Sequence, residues 1–106
     1  MAKVIAEVSF SPIGTGTTSL SKYVTAALAV LQMHPEVRYQ LNPMGTVLEG
    51  ERRAIIDVIE EMNEAIFLVG AKRVGTTIKM DDRRDTEASM EHKVEVVREG
   101  LRDGQA

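Results

Sequence analysis

A chain of 106 residues, 43% hydrophobic and 27% charged, has the size of one ordinary domain with a core of its own. It has no cysteine and only two histidines, His34 and His92, which share no local ligand spacing; disulfide staples, thiolate nucleophiles, Fe–S clusters and thiolate zinc sites are excluded, and no metal site is expected. A net charge of −3, from 16 acids against 13 bases, and 4% aromatics argue against an electrostatic grip on nucleic acid and against stacking platforms for single-stranded bases.

The opening residues Met1 to Glu7 place an acid inside their apolar stretch, so no signal peptide is expected. The longest apolar stretch, Val24 to Leu31, falls far short of the ~20 residues that cross a bilayer, so no membrane partner is expected and the chain reads as cytoplasmic.

Lys3 to Ser11 alternates, with Val4, Ala6, Val8 and Phe10 on one side and Ile5, Glu7, Ser9 and Ser11 on the other, which predicts a strand with one apolar face. Pro12 and the glycines 14 and 16 end it. Thr17, Thr18 and Ser19 are expected to cap a helix carrying Leu20, Tyr23, Val24, Ala27, Leu28 and Leu31 at helical spacing, stopped by Pro35. Val37 to Asn42 and Thr46 to Glu49 flank the turn residues Asn42-Pro43-Met44-Gly45, a predicted hairpin. Gly50 and Glu51 are expected to open a second helix with Ile55, Ile59, Met62, Ile66 and Val69 as its stripe and Gly70 as its C-terminal cap. Lys72 to Met80 alternates as a fourth strand. The charged loop Asp81 to Asp85 follows, with local charge neutralisation or a subunit contact as its expected role. A last helix is predicted from about Ser89, with Met90, Val94, Val97 and Leu101 as its stripe, and residues 104–106 are expected to fray.

The order β-α-β-β-α-β plus a C-terminal helix predicts an α+β fold, a ferredoxin-like four-stranded antiparallel sheet with two helices on one face. One domain covers residues 1–106, with about 3–101 ordered.

Two helices leave the other sheet face open. It carries Ile5, Glu7 and Ser9, then Arg38, Gln40 and Asn42, then Thr77 and Lys79, with Thr46 or Glu49 added according to a register the sequence leaves open. Such a face serves as solvent surface, subunit interface or pocket wall, and the third helix can cover part of it. Glu7 stands mid-strand in a strand expected to be central, where a covered charge needs a partner. Lys79 and Arg38 are the candidate partners in an ion pair; the alternative is a carboxylate that receives a cationic or amine-bearing ligand. His34 and His92 carry no assigned chemistry, and the methionines, Met44, Met62, Met80 and Met90 among them, read as core filler. No nucleophile–base pair, carboxylate dyad, P-loop or cofactor fingerprint emerges, so no cofactor is expected.

Taken together, Glu7-Val-Ser-Phe-Ser-Pro-Ile-Gly14, Thr18-Ser-Leu-Ser-Lys-Tyr-Val24, Asn42-Pro-Met-Gly-Thr-Val-Leu-Glu49, Thr76-Thr-Ile-Lys-Met-Asp-Asp-Arg-Arg84 and Met90-Glu-His-Lys-Val-Glu95 resemble the small thiamine-binding proteins of the YkoF-like superfamily, first grouped as an uncharacterised protein family. The resemblance runs from about Lys3 to Leu101. It implies a ferredoxin-like fold, homo-oligomers (dimers by sheet association, often dimers of dimers) and non-catalytic binding of thiamine or its hydroxymethyl-pyrimidine moiety.

That ligand asks for a carboxylate, hydroxyls and apolar walls. By motif match and chemistry, Glu7 or Glu49 supplies the carboxylate, Ser9, Ser11, Thr17, Ser19, Thr46 and Thr77 the hydroxyls, and Met44 and Leu48 a wall. The alternative is an assembly or regulatory module without a small ligand, its open face a self-association surface. An enzyme of the thiamine pathway ranks last.

Overall fold

Period-two alternation and two amphipathic helices produce the expected layers. The computed structural model describes residues 3–87 and 89–104. In chain order the elements are β1 (Lys3–Pro12), α1 (Ser21–Leu31), β2 (Arg38–Asn42), β3 (Gly45–Glu51), α2 (Arg52–Leu68), β4 (Val74–Asp81) and α3 (Met90–Gly104). The four strands form one antiparallel sheet in the order β2-β3-β1-β4, so β1 is an inner strand, as expected. This is the α+β ferredoxin-like arrangement with an extra C-terminal helix.

One face of the sheet is the core. Val4, Ala6 and Val8 of β1 and Leu48 of β3 are buried against Tyr23, Ala27, Val30 and Leu31 of α1 and Ile55, Val58, Ile59, Met62 and Ile66 of α2. Phe10 packs on the same side. Burying side chains of this size is worth about 1.5–3 kcal/mol each, so this face dominates stability. Of the stripe read from the sequence of α2, Ile55, Ile59, Met62 and Ile66 are buried and Val69, the C-cap, is partly buried, and the helix closes as expected. Gly70 takes φ +114°, its N–H donates to Phe67 O at 3.0 Å, and the N–H of Ala71 reaches Ile66 O at 3.4 Å.

Three local expectations change. Gly50 does not open α2 but lies in β3 opposite Val4, because the ladder to β1 continues two residues past Glu49; Glu51 ends that strand opposite Lys3 and, as expected, opens α2 as its N-cap, without a side-chain cap bond. Thr17 to Ser19 do not cap α1. The N-cap is Leu20, without a side-chain cap bond, and the Thr17 hydroxyl instead accepts the Ser19 N–H at 3.1 Å inside the preceding turn. Met44 is not core filler but stands 89% exposed at the hairpin turn, whereas Met62 and Met90 are buried. Of the segment expected to fray, Gly104 closes α3, and residues 105 and 106 lie outside the described residues. Among the described residues no helix is long and apolar enough to cross a membrane.

Candidate functional site

The hairpin register decides which residues reach the open face. Arg38 pairs with Glu49, Gln40 with Val47 and Asn42 with Gly45; Glu7 lies between Val47 on β3 and Lys79 on β4. Side chains alternate along a strand, so Gly45, Val47 and Glu49 share the open face with Ile5, Glu7 and Ser9. Thr46 and Leu48 therefore point the other way, 5% and 0% exposed beneath the helices, and the structure does not bring these two candidates to the open face. A one-residue difference in register accounts for it, since each step flips a side chain to the opposite face.

α3 turns one end of this face into a hollow. Its first residue, Met90, is buried, and its backbone N–H donates to Glu49 Oε1 at 2.9 Å. Lys93 donates to Asp81 Oδ2 at 2.5 Å on the far side. Between α3 and the sheet lies a cavity of about 620 Å³. Ile5, Val47, Met90 and Val94 form its apolar walls, Gln40 and Asn42 supply amides, and Glu7, Lys79, Asp81 and Lys93 supply charge. A depression of this size, mostly apolar with a few convergent polar groups, matches the usual form of a small-molecule site.

Glu7 is exposed on this hollow and enters no ion pair among the described residues, although Lys79 stands opposite it in the ladder. Arg38, the other expected partner, is committed elsewhere: Nη1 donates to Glu49 at 2.5 Å and Nη2 to both oxygens of Glu91 at 2.9 Å. Glu91 and then Glu49 hold the Arg38 guanidinium still more firmly in its charged form. Gly45 gives Glu7 its room, for a Cβ there would stand 3.4 Å from Glu7 Cγ and 3.3 Å from Val8 O.

The remaining candidates scatter. Ser9 and Thr77 face each other on the open side beyond Glu7, and Ser11 follows opposite Gly75, none of them lining the hollow. Thr17 and Ser19 are exposed in the β1–α1 loop, and Met44 is at the hairpin turn. Glu49 is on the correct face but 1% exposed, with both oxygens occupied. The roof residues Met90, Lys93 and Val94 were not among the candidates. Their signal was present in the sequence: an amphipathic stripe on a helix beyond the two that the sheet's covered face can use.

The charged loop is neutralised locally, as expected. Arg83 pairs with Asp85 at 2.7 Å, and Asp82 takes Arg84 at 2.8 Å and Arg52 at 3.2 Å. Arg84, with Arg52 adding to it, holds the Asp82 carboxyl below its ordinary pKa. His34 lies between two carboxylates, with Glu36 at 2.9 Å and Glu61 at 2.6 Å, and ties the end of α1 to α2.

Comparison with known proteins agrees with this architecture. A family model described as thiamine-binding protein matches residues 6–98. The UPF0045 protein YqgV of Bacillus subtilis is 43% identical over 100 residues, covering 92% of this chain and 96% of its own. The crystal structure of a hypothetical protein from Methanocaldococcus jannaschii superposes with a TM-score of 0.82 at 38% identity, covering 92% of this chain and 97% of that one. A Thermotoga maritima protein proposed to act in thiamine biosynthesis or salvage shares the fold at 22% identity, with a TM-score of 0.75 and coverage of 90% and 98%. With the family model matched along almost the whole length and these relatives nearly coextensive with it, the chain belongs to the thiamine-binding protein family.

Proposed function

We propose that this protein binds thiamine or its hydroxymethyl-pyrimidine moiety, without catalysing a reaction, in the hollow between the open sheet face and α3. The observation that carries the reading is Glu7: a carboxylate on the central strand, outside any ion pair among the described residues, on the floor of a 620 Å³ cavity with apolar walls. Thiamine has a fixed positive charge on its thiazolium, an aminopyrimidine edge of donors and acceptors, and flat apolar ring faces. Glu7 answers the charge or the amino group, Gln40 and Asn42 the edge, and Ile5, Val47, Met90 and Val94 the faces. These groups recognise and orient. The family's description supports the ligand.

The site is read as cytoplasmic and as completed by self-association into a dimer or tetramer. Val94, Val97 and Leu101, the outer part of the α3 stripe, are 46%, 61% and 60% exposed, an apolar strip that a second copy would cover. The same strip favours the second reading, in which the open face serves assembly or regulation alone.

Titration calorimetry with thiamine, its phosphates and the free pyrimidine separates the two. Binding is expected to raise stability by about 2.7 kcal/mol at a hundredfold excess over the dissociation constant. Glu7→Ala should weaken binding about tenfold or more, roughly 1.4 kcal/mol, while changing folding by only about 0.5 kcal/mol, as for an exposed side chain. An oligomer that gives neither heat nor thermal shift with any of these ligands overturns the binding reading in favour of assembly.

A further inference from the structure

The open face has two carboxylates in its middle, and they are wired differently. Glu7 is left outside any ion pair among the described residues, whereas Glu49 is 1% exposed and fully engaged. Its Oε2 accepts from Arg38 at 2.5 Å and its Oε1 accepts the backbone N–H of Met90 at 2.9 Å, a residue 41 positions further along the chain. The Met90 N–H is one of the α3 donors that no carbonyl within the helix can satisfy. In this fold β3 satisfies it, and Arg38 extends the same network outward to Glu91.

Little else fastens α3. Met90 is its buried residue among those described; past it the stripe is exposed, and Lys93–Asp81 is a pair between half-exposed groups. A helix of 15 residues is marginal by itself in water, so the attachment of its first turn decides where, and whether, it forms.

We propose that Glu49 is a positioning residue of the ligand site: it fixes the first turn of α3 as the roof of the hollow and makes no contact with the ligand, leaving Glu7 as the carboxylate that reads it. The proposal rests on the reading of the hollow as the thiamine site. Glu49 is buried behind Arg38 and Met90, so an incoming amine reaches it only by moving one of them, which releases the wall it would pack against.

Amide hydrogen exchange on the ligand-free protein, followed by thiamine titration, tests this on wild type, Glu49→Gln and Glu7→Ala. A glutamine amide cannot accept from Arg38 and Met90 at once through its two terminal atoms. Glu49→Gln is therefore expected to speed exchange of the Met90 to Lys93 amides on the order of tenfold, leave the β1 and β3 amides unchanged, and weaken thiamine binding about tenfold. Glu7→Ala is expected to weaken binding with α3 exchange as in wild type.

Unchanged α3 exchange in Glu49→Gln overturns the proposal, as does faster exchange accompanied by wild-type thiamine affinity. Should Glu49→Gln fail to fold, the wild-type Met90 amide decides: slow exchange supports the bond to Glu49, and exchange at the rate of a free amide refutes it. Wild-type protein that gives no thiamine heat refutes the ligand reading, and the exchange results still judge the attachment of α3 on their own.

Discussion

The two faces of the sheet are built from the same four strands by opposite means. The covered face is closed by Val, Leu, Ile and Met side chains on both layers, and buried apolar area holds it. The open face carries alternating acids, bases and amides, and what lies on it is held by charge: Glu49 to Arg38 and Met90, Lys93 to Asp81. Apolar packing is non-directional and fills space, so it leaves no room for a ligand. Hydrogen-bonded ion pairs fix a helix at a few points and leave a void between them. The hollow exists because α3 is fastened rather than packed.

Leu48→Ala gives the largest expected break in this contrast. The side chain is fully buried on the covered face, and its truncation should cost about 2–5 kcal/mol in denaturant unfolding, with ligand affinity of the folded protein little changed. A stable variant with lost affinity would return Leu48 to the ligand wall.

Arg38→Ala comes next. It strands the buried Glu49 carboxylate, and the loss of that charge-assisted hydrogen bond should lower stability by the same measurement, less than Leu48→Ala does. The same truncation at Arg53, whose pair with Asp57 is exposed on both sides, should cost within about 0.5 kcal/mol. Equal effects at the two positions would erase the distinction between a buried carboxylate and a surface pair.

The smallest effect lies behind the covered face, where charge also joins two elements but in the open. The Glu36 carboxylate, and then that of Glu61, raises the His34 pKa above its ordinary value. The sign follows from linkage. A proton held more tightly by the folded state adds stability that is fully present below the unfolded value of about 6.5 and disappears as pH rises through the higher folded value. An NMR titration should place the His34 midpoint above about 6.5, and Glu36→Gln should lower it. A wild-type midpoint at or below the ordinary value would remove the tie between α1 and α2.

Much of the covered face was legible in the order of residues. Val4, Ala6 and Val8 announced a strand face, Ile55, Ile59, Met62 and Ile66 a helix stripe, and Gly70 its end, because each pattern is local and its period differs between helix and strand. Glu7 was legible for a similar reason: an acid at an odd position of an apolar strand has to face away from the core. Thr46, Leu48 and Glu49 were not, since the alternation of a short strand reads equally well in either sense until its neighbour fixes the register. Thr17 failed as a cap because its hydroxyl accepts the Ser19 N–H within the turn, while its carbonyl accepts the Thr15 hydroxyl.

By itself the sequence determined the strands and helices, the domain's single core, the open face and the acid at its centre, all of which follow from side-chain period along one chain. Only the tertiary structure decided that Glu49 rather than Thr46 faces Glu7's side of the sheet, that this carboxylate is spent on Arg38 and Met90, and that α3 roofs a cavity. Those facts join positions 38, 49 and 90, and contacts between residues so far apart are set by how the packed layers meet, which no local period encodes.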